Sequence, residues 1–275
     1  MIVEQASAKI NLALHVRSRR DDGYHEIETL FAFLKDGDEL QLAPGPASFA
    51  LEGPFAAALE GESGNLVTRA AASYASALSV PDKGAFTLVK RLPVASGIGG
   101  GSADAAAALR ALARRDGVAL DDPRLFAVAE ALGSDVPACL FRRSALGRGR
   151  GEELEPLEGL AGMPVLLVNP GVAVSTASVF AAWSGKDRGP IGDGALLGRA
   201  LLGRNDLEAP ARSIAPVIGE VLALLLDTRG TRLVRMSGSG ATCFALYDHA
   251  ADRAAAHQAI SAARPGWWCL ESALA

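Results

Sequence analysis

Cysteine is scarce in this chain, and the few cysteines are not arranged in a recognisable motif. The 275 residues include three cysteines, which are widely spaced and form no Cys-x-x-Cys pair. An odd number of scattered cysteines argues against a disulfide framework. We therefore expect Cys139, Cys243 and Cys269 to be reduced, mostly buried thiols in a cytoplasmic protein.

Long apolar runs and an excess of positive charge are also missing. No run approaches the roughly 18 apolar residues of a membrane helix, and no charged N-terminal segment precedes a cleavage site. The formal net charge of −4 does not favour a nucleic-acid-binding surface. We expect a soluble protein without membrane or nucleic-acid partners. Its 49% hydrophobic residues suffice for one large core or two moderate ones.

Glycine, in contrast, is plentiful, and four of the five positions from Gly97 to Gly101 are glycine in the stretch Arg91 to Ala113, which reads RLPVASGIGGGSADAAAALRALA. Its glycines remove Cβ atoms and permit backbone conformations in which successive N–H groups converge on an anion. An alanine-rich helix should follow from Ser102, with Ser102 or Asp104 as its cap. A short β-leaning run from Phe86 to Val89 precedes it. The stretch therefore predicts a strand, a phosphate-binding loop and a helix.

Two well-known phosphate motifs have this outline, but neither fits. A Walker A loop needs a lysine after its glycines, and none follows here. The dinucleotide fingerprint needs glycine or alanine where Ser102 stands. A flexible loop with a helix cap remains the alternative interpretation.

The loop resembles the second motif of the GHMP kinases, the superfamily of galactokinase, homoserine kinase and mevalonate kinase. In that family the loop wraps the triphosphate of ATP. The chain departs from the usual pattern at Ala95-Ser96 and at Ala103, where the backbone N–H donors are unaffected. The resemblance implies nucleotide binding by Pro93, Val94, Ala95, Ser96, Gly97, Ile98, Gly99, Gly100, Gly101, Ser102 and Ala103.

The N-terminal segment SAKINLALHV alternates apolar and polar residues, which predicts a half-buried strand with a polar face. Lys9 and Asn11 lie on that face, and by itself the lysine could simply be solvated. SAKINL resembles the opening strand of the GHMP branch that acts on cytidine diphosphate-linked methylerythritol. The resemblance places Lys9 and Asn11 at the reacting hydroxyl.

Three aromatic residues are candidates for binding a pyrimidine. Tyr24 and His25 lie in DDGYHEIETLF, and Phe180 lies in a helix predicted to begin near Ser175 or Thr176. On physical grounds Tyr24 and His25 could be core-edge residues, and Phe180 an ordinary apolar helix position. DDGYHEIETLF resembles the signature of the same GHMP branch. It implies that Tyr24 and Phe180 sandwich the cytosine and that His25 hydrogen-bonds its edge.

Asp135 is the candidate proton acceptor. In SDVPACLF it could be a helix cap or a carboxylate in a partly buried site. The segment resembles the family's G-[AS]-D-V-P, whose aspartate sits beside the first-strand lysine. The resemblance implies that Asp135 accepts the hydroxyl proton while Lys9 orients the hydroxyl.

Two further segments complete the predicted nucleotide site. Asn65 is a suitable N-cap for the helix NLVTRAAASYASAL, and the family has an asparagine here near the nucleotide. MSGSGATCFALY alone favours a hairpin turn. Beside the first loop it resembles the third GHMP motif, which implies that Ser239 and Gly240 lie near the phosphates.

The remaining patterns predict ordinary elements. Short strands are expected in IETLFAFL, DELQLAP and ASFALEG, and a helix capped by Asp121 or Asp122 in DDPRLFAVAEALG. A hairpin is expected in RRSALGRGRGEELEPLEG. NDLEAPARSIAPVIGEVLALLLDTRG predicts one long amphipathic helix, and a helix and a strand close the chain.

These patterns predict an α+β protein with the two-domain GHMP kinase fold and an active site in the inter-domain cleft. The expected domains are residues 1–157 and 158–275. The resemblance implies an ATP- and Mg²⁺-dependent kinase acting on a cytidine diphosphate-linked methylerythritol, as a monomer or weak homodimer. The sequence identifies no dedicated Mg²⁺ ligand. Two alternatives are a homoserine or mevalonate type of GHMP kinase, and a non-catalytic nucleotide-binding protein on the same fold.

Overall fold

A computed structural model of the chain describes residues 1–61 and 64–275 and shows an α+β fold. The strands are β1 (Ile2–Arg19), β2 (His25–Ala43), β3 (Ser48–Glu52), β4 (Ala85–Val89), β5 (Ala145–Arg148), β6 (Glu153–Pro156), β7 (Pro164–Asn169), β8 (Thr231–Met236), β9 (Cys243–Tyr247) and β10 (Trp268–Ala273). The α-helices are α1 (Leu66–Leu78), α2 (Gly100–Asp116), α3 (Pro123–Leu132), α4 (Val136–Phe141), α5 (Thr176–Ala181), α6 (Leu196–Leu202), α7 (Glu208–Ile214), α8 (Val217–Leu226) and α9 (Ala250–Ala263).

Unit 1 is the first of two compact units and comprises Met1–Lys9, Asp36–Val94 and Gly99–Arg142. The second half of β2 pairs antiparallel with β4, and β3 pairs parallel with β4. Helix α2 contacts α1, α3 and α4, and its residues from Ala103 to Ala113 are buried. Because most of these residues are alanine, the neighbouring helices can approach the α2 backbone closely.

Unit 2 comprises Ile10–Lys35, Ala95–Ile98 and Arg143–Ala275. The first half of β2 pairs antiparallel with β5, which pairs with β6. A second, antiparallel sheet has the strand order β10-β7-β9-β8. The hydrophobic core of unit 2 includes Leu166, Val168, Val221, Leu225 and Tyr247.

Each unit is built from several chain segments, since β1 and β2 pass through both. The predicted division of the chain at residue 157 and the predicted cleft between domains both stay predictions. The predicted strand before the glycine loop, the hairpin of β5 and β6 and the closing α9 and β10 are confirmed.

The structure differs from the prediction in the extent of two elements. The two strands predicted in IETLFAFL and DELQLAP are one strand, β2, which continues through Gly37. A Cβ atom on Gly37 would lie 2.1 Å from the carbonyl oxygen of Ala6, so this glycine allows β1 to pass close by. The single long helix predicted after Asn205 is split into α7 and α8. Pro216 lacks an N–H and disfavours helical conformation at Ala215, which has φ −131° and ψ 84°.

The polar face predicted for β1 is not exposed. Lys9, Asn11 and His15 are 4%, 2% and 2% exposed, so the strand is buried on both faces. A buried asparagine requires hydrogen-bond partners, because burial of an amide without them costs about 2–7 kcal/mol, and an unpaired buried ammonium group costs more. The hydrogen-bond and ion-pair partners of these side chains therefore identify the groups that β1 holds in position.

Candidate active site

The first half of the glycine loop, Ala95–Ile98, lies in unit 2 against the Ser-Gly loop between β8 and β9. Gly97 has φ +78°, and a Cβ atom there would lie 2.6 Å from the carbonyl oxygen of Gly240. The Ser237 hydroxyl donates to the Gly97 carbonyl (3.0 Å), and the Thr242 N–H donates to the Ser96 carbonyl (3.2 Å). The structure thus brings together the two glycine motifs that the sequence singled out.

The second half of the glycine loop lies in unit 1 and opens α2. Gly99, with φ +66°, is the N-cap, and no side chain caps the helix. The prediction of a cap at Ser102 or Asp104 is therefore wrong, and Asp104 is instead buried in the interior. The N–H groups of the first turn have no partner within the helix, which makes this end suitable for an anion.

Lys9 and Asp135 form an ion pair in unit 1. The Lys9 Nζ lies 3.0 Å from the Asp135 Oδ2, with side-chain exposures of 5% and 33%. Asp135 precedes α4, but its side chain makes no capping bond, so its carboxylate is directed to the lysine instead. A carboxylate that is both paired and accessible can accept a proton from a bound hydroxyl.

Lys9 is fixed by the glycine loop itself. A Cβ atom on Gly99 would lie 2.6 Å from the Lys9 Cγ and 2.9 Å from its Cε. Only a glycine therefore lets the loop backbone pass over the lysine stem. The ion pair and the N-terminus of α2 consequently share one region of unit 1.

Lys90 and two aspartates form a buried charged cluster in the same unit. The Lys90 Nζ lies 2.5 Å from the Asp38 Oδ2 and 2.8 Å from the Asp104 Oδ2. All three side chains are at most 3% exposed. A Cβ atom on Gly100 would lie 3.0 Å from the Lys90 Nζ, so the ammonium group is next to the loop backbone. Sequence reasoning missed this cluster, because lysine is rarely buried.

Asn11 lies in unit 2 within a buried hydrogen-bond network. Its Nδ2 donates to the Thr29 Oγ1 (2.8 Å), which donates to the carbonyl of Ala13 (2.8 Å). Its backbone N–H donates to the Ser237 Oγ (3.3 Å). Asn11 thereby joins β1 to the Ser-Gly loop of the third motif.

His25 packs against two aromatic residues of unit 2. Its ring centroid lies 4.8 Å from that of Phe180 and 5.7 Å from that of Trp183, the latter edge-on. Sequence reasoning missed Trp183, which lies three residues after Phe180 and two residues beyond the end of α5. The structure therefore brings two of the three predicted pyrimidine-binding residues together.

The His25 imidazole has a buried nitrogen atom that can form a hydrogen bond with a ligand. Burial and the nearby Arg19 charge lower its pKa below the ordinary 6.5. Its Nε2 is buried and has no hydrogen-bond partner in the part of the chain that the structure describes. A neutral imidazole with a free nitrogen can donate to or accept from the edge of a ligand ring.

Tyr24 is 51% exposed, and its ring faces a cation. The Arg150 guanidinium carbon lies 5.0 Å from the ring centroid, a cation–π geometry. The structure gives no ring contact between Tyr24 and either His25 or Phe180 among the described residues. The other face of Tyr24 could accept a flat ligand.

Asn65 is the N-cap of α1, as predicted, and its Oδ1 accepts from the Val67 N–H (2.9 Å). It also lines a cavity of about 420 Å³ in unit 1 together with Phe49, Leu51 and Thr68.

In unit 2, the hydroxyl groups of Ser239 and Thr176 are hydrogen-bonded to each other (2.8 Å). The Asn205 amide donates to the carbonyls of Met236 and Gly238, which supports the Ser-Gly loop.

Family models match two parts of the chain. The GHMP kinases N terminal domain matches residues 65–143, and the GHMP kinases C terminal model matches residues 186–265. The first match contains the glycine loop and Asp135, and the second contains the Ser-Gly loop.

Curated relatives are similar over nearly the whole chain. The protein named 4-diphosphocytidyl-2-C-methyl-D-erythritol kinase of Rhizorhabdus wittichii is 57% identical, covering 98% of this chain and 94% of the relative. The protein of the same name from Novosphingobium aromaticivorans is 52% identical, covering 98% of this chain and 92% of the relative.

Solved structures agree on the fold. A crystal structure of 4-(cytidine 5'-diphospho)-2C-methyl-D-erythritol kinase has a TM-score of 0.79 at 37% identity and covers 99% of both chains. The crystal structure of L. major mevalonate kinase in complex with R-mevalonate has a TM-score of 0.70 at 17% identity, covering 100% of this chain and 96% of that one, which shows the fold alone. The chain therefore belongs to the GHMP kinases, ATP-dependent kinases of small molecules, in the family of the 4-diphosphocytidyl-2-C-methyl-D-erythritol kinases.

Proposed function

We propose that this protein transfers the γ-phosphoryl group of ATP to the 2-hydroxyl of 4-diphosphocytidyl-2-C-methyl-D-erythritol, in the non-mevalonate route to isoprenoid precursors. The observation that carries the proposal is the ion pair of Lys9 and Asp135 beside the uncapped N-terminus of α2. Similarity to relatives that bear this enzyme's name supports the identity of the substrate.

The glycine loop binds the phosphates of ATP in this proposal. The N–H groups of the first turn of α2 and the helix dipole stabilise negative charge on the β- and γ-phosphates. Ser239 and Gly240 belong to the loop that holds Gly97 in place. Asn65, which lines a cavity in unit 1, is assigned to another part of the nucleotide.

Proton transfer is assigned to Asp135. Its carboxylate accepts the proton of the substrate hydroxyl as the oxygen attacks the γ-phosphorus, and the Lys9 ammonium orients that oxygen. Asn11, fixed by Thr29 and Ser237, is assigned to the sugar alcohol. The protein thus contributes positioning and charge stabilisation, as expected for phosphoryl transfer.

The cytosine is assigned to the aromatic residues of unit 2. The unpartnered Nε2 of His25 hydrogen-bonds the edge of the base, while Tyr24 and Phe180 contact its faces. The lowered pKa of His25 keeps the imidazole neutral, which suits an uncharged pyrimidine.

Mg²⁺ is proposed to enter as part of the Mg-ATP substrate. Within residues 1–61 and 64–275, no group of three or more His, Cys, Asp or Glu side chains is arranged to hold a metal ion. Mg²⁺ bound to a nucleotide usually takes only one or two protein carboxylates in addition to the phosphates. No step of the proposed mechanism is assigned to a protein-bound metal.

We also propose that the protein acts in the cytoplasm as a monomer or weak homodimer. The burial of Cys139 and Cys243 as free thiols supports a reducing environment. Among the described residues, no helix is both long and apolar enough to cross a membrane. Size-exclusion chromatography at several concentrations tests the oligomeric state.

The test of the function is ADP release from Mg-ATP with and without 4-diphosphocytidyl-2-C-methyl-D-erythritol, with homoserine and mevalonate as alternative acceptors. We expect release that depends on the cytidyl substrate and that CDP inhibits by competition. Release with another acceptor would overturn the assigned substrate. Binding of ATP without release to any acceptor would favour a non-catalytic nucleotide-binding protein.

A further inference from the structure

The buried cluster of Lys90, Asp38 and Asp104 has an unbalanced charge. With both carboxylates ionised, one ammonium group faces two negative groups within 2.8 Å of its Nζ. A net negative charge that is almost fully buried is costly. The cost increases if further negative charge is placed nearby, and Lys90 lies next to Gly100, the first residue of the helix to which phosphates are assigned.

The two carboxylates are not equivalent. The Asp38 Oδ2 accepts a hydrogen bond from the Lys90 ammonium. Its Oδ1 accepts from the backbone N–H groups of Arg91 (2.5 Å) and Leu92 (2.8 Å). Asp104 receives the ammonium at Oδ2, but its Oδ1 is buried without a hydrogen-bond partner in the described part of the chain. Because three donors stabilise the ionised form of Asp38, Asp104 is the carboxylate that accepts a proton at lower cost.

We propose that Asp104 takes up a proton when the phosphates of a nucleotide bind at the N-terminus of α2, so that the buried cluster becomes neutral beneath them. The inference rests on the proposed function only in requiring nucleotide binding at this loop. Asp104 is thereby a positioning residue, since it acts through Lys90 and the loop and touches neither the substrate nor the reacting atoms.

The surroundings of Asp104 support this titration. Burial, together with the negative charge of Asp38, raises its pKa to about 7 against the opposing effect of Lys90. The thiol of Cys139 in α4 is a further titratable neighbour, and burial raises its own pKa to about 12, so it stays neutral. The titration of Asp104 therefore falls closer to neutral pH than that of an ordinary aspartate. A tenfold rise of its proton affinity on nucleotide binding would draw in roughly 0.4 proton at pH 7.

The test is calorimetric titration of the full chain with Mg-ADP at pH 7 in buffers of different ionisation enthalpy, which yields the number of protons taken up. The comparison is between wild type and Asp104→Asn, which keeps the shape of the side chain but cannot titrate. The control is Asp122→Asn at the N-cap of α3, because the pKa of Asp122 is lowered to about 2 by Arg124 and its carboxylate stays ionised. Proton exchange by ADP itself cancels in these differences.

We expect wild type and Asp122→Asn to take up about 0.4 proton more than Asp104→Asn. Nucleotide affinity should also fall up to tenfold more between pH 6 and pH 9 in wild type than in Asp104→Asn. Equal uptake in wild type and Asp104→Asn would overturn the inference. If Asp104→Asn does not fold, Asp38→Asn is compared with wild type instead. Loss of the Asp38 charge lowers the pKa of Asp104, so this variant should also take up less proton than wild type on binding Mg-ADP, and equal uptake would again overturn the inference. Failure of wild type to bind Mg-ADP would overturn the proposed function itself.

Discussion

The proposed mechanism assigns proton transfer to a single carboxylate, Asp135. Its replacement by asparagine should lower kcat by roughly 10²–10⁴, because the amide cannot accept the hydroxyl proton. Steady-state ADP release measures the effect. The control is Asp122→Asn, which removes a carboxylate at another helix N-cap of unit 1 and should retain wild-type kcat. A loss below tenfold in Asp135→Asn with an intact fold would remove Asp135 from that role.

His15 makes the stability of the protein depend on pH in a defined direction. Its Nε2 accepts the Arg204 N–H (3.2 Å) and its Nδ1 lies 3.1 Å from the Gly189 carbonyl, an arrangement that fits the neutral ring. Burial, and then the Arg204 charge, lower its pKa below the ordinary 6.5. The unfolded chain thus binds more protons at this site, so the stabilisation present above pH 6.5 is lost as the pH falls.

Urea unfolding at pH 7.5 and pH 5.5 measures this effect. The free energy of unfolding should fall more on acidification in wild type than in His15→Gln, which has no titrating ring. The exposed His249 gives the matched control, since His249→Gln should show the wild-type dependence. Equal pH dependence in wild type and His15→Gln would contradict the prediction.

Single residues also show what the sequence could not predict. The resemblance identified Lys9 and Asp135 as a pair despite their separation along the chain, and the structure places them 3.0 Å apart. Lys90 was not predicted, because lysines are usually exposed and its two partners are distant in sequence. Trp183 was missed for a different reason, since an aromatic residue after a short helix is most often part of the core.

At the scale of elements, α2 offers a controlled comparison between its two ends. Gly99 and Gly117 flank the helix with φ +66° and +68°, so alanine is strained at both positions by a similar amount, about 1 kcal/mol. A Cβ atom at Gly99 would meet the Lys9 side chain, whereas nothing lies within 4 Å of one at Gly117. Gly99→Ala should therefore lose activity that Gly117→Ala retains.

Thermal unfolding and ADP release should be measured on both variants. A loss of kcat/KM confined to Gly99→Ala, with both variants still folded at the assay temperature, would agree with a loop that positions Lys9. Equal activity of the two variants would show that the approach of Gly99 to Lys9 is not needed for the reaction.

Elements set by local signals were predictable, and those set by distant contacts were not. Asn65 and Asp122 cap α1 and α3 as predicted, because the capping bonds form within three residues. The continuous course of β2 depends on Gly37 accommodating β1, which is far away in sequence. The break between α7 and α8 did have a local signal, Pro216, which the strong apolar periodicity of the segment obscured.

At the scale of the whole molecule, the compact units do not follow one cut in the chain. The core of unit 2 includes Leu14 and Val16 of β1 and Ile27 of β2, far from the other core residues in sequence. A fragment of residues 158–275 lacks these side chains and should not melt cooperatively, as circular dichroism would show. Cooperative melting of the isolated fragment would instead support a domain boundary near residue 157.

The same interleaving constrains how the chain can fold as it leaves the ribosome. The segments of unit 1 are complete once Arg142 has been made, yet Ile10–Lys35, synthesised long before, belong to unit 2. Some of their partners emerge much later, since Phe31 pairs with Ala145 of β5 and Leu34 forms a bridge with Leu274. At translation rates of about 5–20 residues per second this interval lasts many seconds. During it, the nascent chain presents a hydrophobic segment that chaperones can bind.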